Sequence, residues 1–87
     1  MIIVYRFEKT KSFEKNLKKL SVKEQKAVAD KLKKMAENPY HPSLRTKKIQ
    51  GLIDIFECSV NMDIRIIWKY KDDRLILLIE IGHHDIL

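Results

Sequence analysis

The sequence is poor in the residues that build disulfide scaffolds and membrane spans. It contains one cysteine, Cys58, so no disulfide bond can form within the chain, and a reducing compartment is the simpler expectation. No stretch approaches the roughly 20 consecutive apolar residues that a membrane-spanning helix requires. The opening Met1-Ile2-Ile3-Val4 is too short for the apolar region of a secretory signal. We therefore expect a cytoplasmic protein without a membrane partner.

Glycine and proline are also scarce, with two of each. Both prolines lie with Gly51 in one segment, residues 39–51, and no internal repeat, low-complexity tract or interdomain linker is present. Hydrophobic residues make up 45% and charged residues 34% of the chain, which is the composition of a globular protein and not of a disordered one. The length of 87 residues predicts a single domain, residues 1–87.

Acidic residues are outnumbered by basic ones. The 18 lysines and arginines against 12 aspartates and glutamates give a net charge of +6. A positive balance favours a polyanion or an acidic protein as partner. Charge alone does not choose between these two partners, and many of the lysines fall where a solvated helix face would place them.

The hydrophobic periodicity predicts the element order βααβββ. A run rich in β-branched and aromatic residues, residues 2–7, predicts the first strand. Two segments of helical period meet at Ser21, where Ser21 and Glu24 have the spacing of a capping box, and Asn38-Pro39 ends the second segment. The period then becomes two in three segments, residues 52–60, 64–70 and 74–81. The expected fold is α+β, with a helical hairpin packed on one face of a small antiparallel sheet.

Alternation along the strands predicts which side chains share the open face of the sheet, meaning the face that the helices do not cover. In the second of the three strands Arg65, Ile67 and Lys69 fall on one face, and the other face carries Ile64, Ile66, Trp68 and Tyr70. Counting through the last strand adds Glu80 and His84 to this charged set, unless Gly82 breaks the alternation. The sequence thus predicts an arginine and a histidine side by side on an exposed surface.

The chain ends in Gly82-His83-His84-Asp85 directly after an apolar strand. Histidine titrates near neutral pH and is the usual side chain for proton transfer, and the strand would hold it in a fixed direction. Two histidines and a carboxylate could also bind a metal ion. However, adjacent residues on an extended segment point apart, and no further cluster supports a zinc site, so no metal is expected.

The segment HPSLRTKKIQG at residues 41–51, the strand residues Ile64-Arg65-Ile66-Ile67 and the terminal Ile81-Gly82-His83-His84-Asp85 together resemble the RelE/ParE superfamily of type II toxins. The resemblance covers residues 41–87 and is nearest to the YafQ-like and RelE-like members, often called plasmid stabilization proteins. It implies a small endoribonuclease, or mRNA interferase, that cleaves messenger RNA in the ribosomal A site. It further implies a cognate antitoxin protein as partner, and neither a metal, a cofactor nor a small-molecule ligand.

The resemblance also implies roles for individual residues. Arg65 matches the strand arginine that stabilises the scissile phosphate, and His84 matches the histidine that is a proposed general base or acid. Asp63 falls where YafQ-like members carry a functional aspartate, and Lys47 falls where relatives carry a histidine or a lysine. These four are the predicted catalytic residues. The residues predicted to contact RNA are Arg45, Lys48, Lys69 and His83.

The predicted residues suit metal-free RNA cleavage, which needs a base for the 2′-hydroxyl, cations for the charge on the phosphate and an acid for the departing oxygen. The planar guanidinium of Arg65 fits phosphate oxygens, and fixed donors are usually the largest catalytic term. Lys47 and Lys48 could bind flanking phosphates or protonate the leaving oxygen. As alternatives, Arg65 could pair with Asp63 or Glu57 on an exposed sheet, and His83 could be a structural or solvated residue.

Two features depart from the pattern of these toxins. His83 stands where threonine or serine is more usual, and no tyrosine or phenylalanine follows Asp85. They leave two other functions open. One is a non-enzymatic, ParE-like toxin that inhibits a protein such as DNA gyrase, and the other is a degenerate relative that only binds an antitoxin.

Overall fold

The computed structural model describes residues 4–83 and has the α+β architecture that the sequence predicts. The helices are α1 (Lys11–Lys18) and α2 (Val22–Glu37), followed by a 3-10 turn (Pro42–Leu44). The strands are β1 (Arg6–Lys9), β2 (Lys47–Lys48), β3 (Phe56–Ser59), β4 (Ile64–Asp72) and β5 (Leu75–His83). The predicted order βααβββ is confirmed, with the two-residue β2 as an additional strand.

Both helices begin at side chains that accept hydrogen bonds from their first turn. Thr10 Oγ1 accepts from the Phe13 amide at 3.0 Å, which starts α1. Ser21 Oγ accepts from the Glu24 amide at 3.1 Å, and Glu24 Oε1 accepts from the Ser21 amide at 2.8 Å. The predicted capping box is therefore present, and α2 ends at Glu37, just before the Asn38-Pro39 pair.

The five strands form one sheet in the order β1-β5-β4-β3-β2. The pairs β2–β3, β3–β4 and β4–β5 are antiparallel, as predicted, but β1 pairs with β5 in parallel. The prediction of an antiparallel sheet is wrong at this edge, and the sheet is mixed. The reason is that β1 and β5 are not consecutive in the chain. Both helices and three strands lie between them, so no hairpin turn requires them to be antiparallel.

Strand β5 contains a bulge. Ile67 lies opposite Glu80 and Trp68 lies opposite Leu78, so Ile79 is an extra residue in the ladder. The Thr10 hydroxyl donates to the Ile79 carbonyl at 2.7 Å, which fixes the bulge against the start of α1. Alternation in β5 therefore breaks at Ile79, and not at Gly82.

The core lies between the helices and one face of the sheet. It is formed mainly by apolar side chains that are buried almost completely: Phe13, Val28, Met35, Leu44, Cys58, Ile64, Ile66, Trp68, Ile76, Leu78 and Ile81. Trp68 stacks on Phe56, with ring centroids 4.7 Å apart and an angle of 17° between the planes. Each such side chain stabilises the fold by about 1.5–3 kcal/mol on burial. No helix within residues 4–83 is long and apolar enough to span a membrane.

Candidate functional site

Arg65 lies on the open face of the sheet, as alternation predicts. Its neighbours on β4, Ile64 and Ile66, are fully buried, whereas its own side chain is 23% exposed. The residues opposite Arg65 are Ser59 on β3 and Gly82 on β5. Cross-strand neighbours stand only about 5 Å apart, so one small and one absent side chain leave space around the guanidinium for a ligand.

The guanidinium of Arg65 is anchored on two sides. Its Nη1 donates to the carbonyls of Asn61 at 2.7 Å, Met62 at 3.2 Å and Ile64 at 3.3 Å, which ties it to the β3–β4 turn. Its Nε lies 3.8 Å from Oε1 of Glu57. Among the hydrogen bonds of residues 4–83 none uses Nη2, which leaves this nitrogen to bind a ligand. A cation held in this way loses little conformational entropy when it binds an oxyanion.

Glu57 lies between the two predicted catalytic cations. Its Oε1 is 3.8 Å from Arg65 Nε and 3.9 Å from Lys47 Nζ, and its side chain is only 15% exposed. Both pairs are long for ion pairs. The sequence left open a pairing of Arg65 with Glu57, and the structure contains it. The open face therefore carries a row of charges in the order plus, minus, plus, with a net positive sign.

The other predicted residues of the sheet fall into two groups. Lys69 alternates onto the same face as Arg65 and is half-buried, and the largely exposed Lys47 pairs with Glu57 at the β2 edge. Lys48 pairs with the buried Phe56, so it points away from this face, although its side chain is exposed. The structure thus places Arg65, Lys47 and Lys69 on one surface and separates Lys48 from them.

Asp63 lies between the strands, as the sequence predicts, whereas Glu80 does not point where the strand count places it. Asp63 is exposed in the β3–β4 turn, where its amide donates to Asn61 Oδ1 at 2.8 Å. The Glu80 carboxylate accepts hydrogen bonds from Ser12 Oγ at 2.5 Å and Asn16 Nδ2 at 2.6 Å. Glu80 was expected beside Arg65, but the bulge and these two bonds direct its carboxylate to α1 instead.

His83 faces the helices and not Arg65. It lies opposite the buried Ile64, and its Nε2 is 3.5 Å from Oε2 of Glu24 at the start of α2. The hydrogen bond from the Ser21 amide is the main cause that lowers the pKa of Glu24, and His83 adds to it. His84, the predicted catalytic histidine, and Asp85 lie outside the described residues.

A groove opens beside Arg65 that sequence reasoning did not predict. It has a volume of about 260 Å³ and runs between α2, the 3-10 turn and the β3–β4 turn. Its polar lining residues are Lys31, Ser43, Arg45, Ser59, Asn61 and Arg65, and its apolar ones are Val60 and Met62. We call it the basic groove. Arg45 and Arg65 were predicted site residues, but Lys31 was not, because it sits in a lysine-rich helix with nothing in the sequence to link it to this loop.

Within residues 4–83 the structure contains no group of three or more histidine, cysteine, aspartate or glutamate side chains that could hold a metal ion.

Comparison with known proteins identifies the family. Residues 7–87 match the family model described as the ParE toxin of the type II toxin–antitoxin system parDE. A sequence comparison with curated proteins finds no significant match.

Solved structures of toxin–antitoxin complexes share the fold. The RelE–RelB complex of Pyrococcus horikoshii OT3 contains a chain with a TM-score of 0.77 and 18% identity, matched over 97% of this chain and 99% of that one. The RelBE2 complex of Mycobacterium tuberculosis gives a TM-score of 0.79 and 16% identity over 97% and 95% of the two chains. The DinJ–YafQ complex of E. coli gives a TM-score of 0.68 and 19% identity over 95% of this chain and 97% of that one. At these identities the likeness shows a shared fold. The family match covers nearly the whole chain, and the chain therefore belongs to the RelE/ParE superfamily of toxins of type II toxin–antitoxin systems.

Proposed function

We propose that this toxin is an endoribonuclease that cleaves messenger RNA in the ribosomal A site without a metal ion. The observation that carries the proposal is the geometry of Arg65. Its guanidinium is fixed to the β3–β4 turn through Nη1, flanked by Ser59 and Gly82, and leaves Nη2 directed to no partner among the described residues. A fixed donor with free space beside it suits a phosphate whose negative charge grows in the transition state.

The chemistry follows from the charges on the open face. The 2′-oxygen of a nucleotide loses its proton and attacks the adjacent phosphorus, and the bond from phosphorus to the 5′-oxygen breaks. Arg65 stabilises the charge on the phosphate, and Lys47 Nζ supplies a proton to the departing 5′-oxygen. Lys69 binds a neighbouring phosphate on the same face. The base is His84, a role that rests on the sequence resemblance, and Asp63 orients groups at the rim of the site.

The proposed inhibitor of this toxin is a cognate antitoxin protein. Three similar structures are complexes of a toxin with its antitoxin, and a net charge of +6 favours an acidic or amphipathic partner that covers the open face. In this proposal residues 1–87 form one toxin domain that acts in the cytoplasm, where ribosomes and messenger RNA are available.

A second function is favoured by the family model and by Glu57. The model that matches residues 7–87 describes ParE toxins, and the carboxylate between Arg65 and Lys47 weakens the positive field that an RNA phosphate would meet. The alternative is a toxin that inhibits a protein such as DNA gyrase without cleaving any bond.

Controlled expression separates the two functions. The toxin is induced from a tightly repressed promoter in bacteria, and messenger integrity, protein synthesis and a DNA-damage reporter are followed together. A nuclease stops protein synthesis and generates new messenger ends while the reporter stays silent. Activation of the reporter with intact messenger would overturn the nuclease proposal in favour of the second function. Normal growth at the same protein level would overturn both.

A further inference from the structure

We infer that the basic groove is a second phosphate-binding site, which takes the RNA phosphate next to the scissile one. This inference rests on the proposed nuclease function and names the part of the protein that holds the substrate beside the reacting linkage. The groove shares Arg65 with the open face. A single strand that passes over Arg65 therefore reaches the groove with the neighbouring unit of its backbone.

The charge of the groove is one-sided. Three cations converge on it from separate elements, Lys31 from α2, Arg45 from the end of the 3-10 turn and Arg65 from β4, and none of its lining residues is acidic. In the described part of the chain, neither Lys31 nor Arg45 forms an ion pair. By contrast, Lys34 pairs with Asp30 at 2.8 Å, so the carboxylate next to Lys31 along the chain is already engaged. Lys31 and Arg45 thus add two cations without an ion pair to Arg65, which keeps its contact with Glu57, and cations that line one concave surface attract an anion.

The wall formed by the loop after α2 is rigid. His41 Nδ1 accepts from the Ser43 amide at 3.1 Å, and the Thr46 hydroxyl donates to the Pro39 carbonyl at 2.6 Å. Leu44 is fully buried beneath this loop. Arg45 has a left-handed backbone with φ of +50°, a conformation that is unusual for a residue other than glycine and that the surrounding bonds hold in place.

The opposite wall is equally well held. Asn61 Oδ1 accepts from the amides of Asp63 at 2.8 Å and Ile64 at 2.9 Å, and Arg65 Nη1 binds the Asn61 carbonyl at 2.7 Å. Because both walls are fixed before a ligand arrives, little free energy is lost in ordering them. The groove is therefore a preformed site and not an accidental gap between mobile side chains.

A phosphate of a polynucleotide fits this lining better than the carboxylate of a protein. Phosphate offers several oxygens to the two guanidinium groups and the ammonium group, and the hydroxyl of Ser59 supplies a further donor. A volume of about 260 Å³ also leaves room for the sugar that joins this phosphate to the next. None of these contacts reads a base, so the groove binds RNA without regard to sequence.

Binding of a short RNA that cannot be cleaved tests the inference. The purified toxin is titrated with a single-stranded, fully 2′-O-methylated hexanucleotide at several salt concentrations. The variants are Lys31→Gln and Arg45→Gln, and the matched controls are Lys33→Gln on the same helix and Arg74→Gln in the β4–β5 turn. Thermal unfolding shows that each variant is folded.

We expect each groove variant to lower the affinity by about fivefold to tenfold and to reduce the salt slope by about 0.7, the value for one lost contact to a single strand. Arg45→Lys keeps the charge and should keep most of the slope. The two controls should bind like the wild type. Equal affinity and slope in the groove variants and the controls would overturn the inference.

The outcomes separate this inference from the proposed function. If induced toxin cleaves messenger but the groove variants bind and cleave like the wild type, the groove site is wrong and the nuclease stands. If messenger stays intact while the groove variants still lose salt-dependent binding, the nuclease is wrong and the anion site stands. If the groove variants bind RNA normally but lose affinity for the cognate antitoxin, the groove holds an acidic segment of that protein and the inference is overturned.

Discussion

Oε1 of Glu57 lies 3.8 Å from Nε of Arg65, and among the described residues this is the only ion pair of the guanidinium. The same oxygen lies 3.9 Å from Nζ of Lys47. In the proposed nuclease, a carboxylate between two cations occupies the electrostatic position that an RNA phosphate would take. Under that proposal, substrate binding must overcome the attraction of Glu57 for both cations.

Glu57→Gln should strengthen RNA binding and raise the rate of cleavage at low substrate. The repulsion between the Glu57 carboxylate and a phosphate about 4 Å from it is about 1 kcal/mol even in water. Removing this repulsion corresponds to about a fivefold gain in affinity. Both ion pairs of Glu57 are long, so replacing the carboxylate by an amide of the same shape should change stability by only about 1 kcal/mol. Titration with the hexanucleotide measures the gain directly.

The matched control is Glu8→Gln, since Glu8 pairs with Lys71 at 2.6 Å on the β1 edge of the sheet. This variant also removes one negative charge, but on the edge strand β1, which β5 separates from the strand of Arg65. Weaker binding by Glu57→Gln would show instead that Glu57 positions the two cations for the substrate.

Arg65→Ala should lower the free energy of unfolding by about 1–2 kcal/mol, because the variant loses the hydrogen bonds that Nη1 donates to carbonyls of the β3–β4 turn. Urea denaturation measures this change. The control is Lys69→Ala on the same strand and face, for which no such bond is found within residues 4–83. Equal stability of Arg65→Ala and the wild type would show that the turn does not depend on the guanidinium. Any activity of Arg65→Ala should be compared under conditions where the variant is fully folded.

Glu80 should contribute to acid sensitivity. Partial burial acts to raise its pKa, but the hydrogen bonds from Ser12, Asn16 and the Ile81 amide outweigh this and lower it below the ordinary value of 4.5. A carboxylate whose pKa is lower in the folded state stabilises the protein above its unfolded pKa, and this stabilisation is lost as the pH falls through the folded pKa. The free energy of unfolding should therefore decrease as the pH drops below 4.5.

Glu80→Gln removes this contribution, so its stability should depend less steeply on pH below 4.5 than that of the wild type. Glu14→Gln, on the exposed side of α1, serves as control and should retain the wild-type slope. Identical slopes for all three proteins would mean that the bonds to Ser12 and Asn16 do not favour the charged form.

Cys58 should be inert toward thiol reagents in the folded protein. Burial raises the pKa of its thiol from 9.0 to about 12, and the side chain is 1% exposed, so almost no reactive thiolate exists at neutral pH. Modification by a colorimetric disulfide reagent should proceed only as fast as the protein unfolds, and rapidly in concentrated urea. Rapid reaction without denaturant would show that β3 opens readily.

The fold could be predicted from the sequence wherever one residue pattern acts locally. The capping box at Ser21 and Glu24 and the alternation from Ile64 to Trp68 predicted α2 and the faces of β4 correctly. The strand predicted for residues 52–60 begins only at Phe56, because Gly51 and Asp54 have positive φ and belong to a turn. The short β2 has too few residues to produce a periodic signal.

The candidate site was predicted less completely, because it depends on tertiary contacts. The bulge at Ile79 accompanies a hydrogen bond from Thr10, 69 positions away along the chain, and no strand count reveals it. The pairing of Arg65 with Glu57 was foreseen as an alternative because both residues are charged and lie on neighbouring strands. The approach of Lys31 to Arg45 and Arg65 depends on how α2 packs, and the sequence contains no signal for it.

Arg65 is the residue on which the proposed nuclease activity depends, so mapping of messenger 5′-ends after induction is the decisive experiment. Wild type, Arg65→Ala and the control Arg74→Ala are expressed to the same level of folded protein, and new ends within translated messages are counted. We expect abundant new ends for the wild type and the control, and a loss of about a hundredfold or more for Arg65→Ala, as for removal of an oxyanion-stabilising donor. As many ends from Arg65→Ala as from the wild type, or growth arrest by the wild type without new ends, would show that Arg65 does not make this toxin a nuclease.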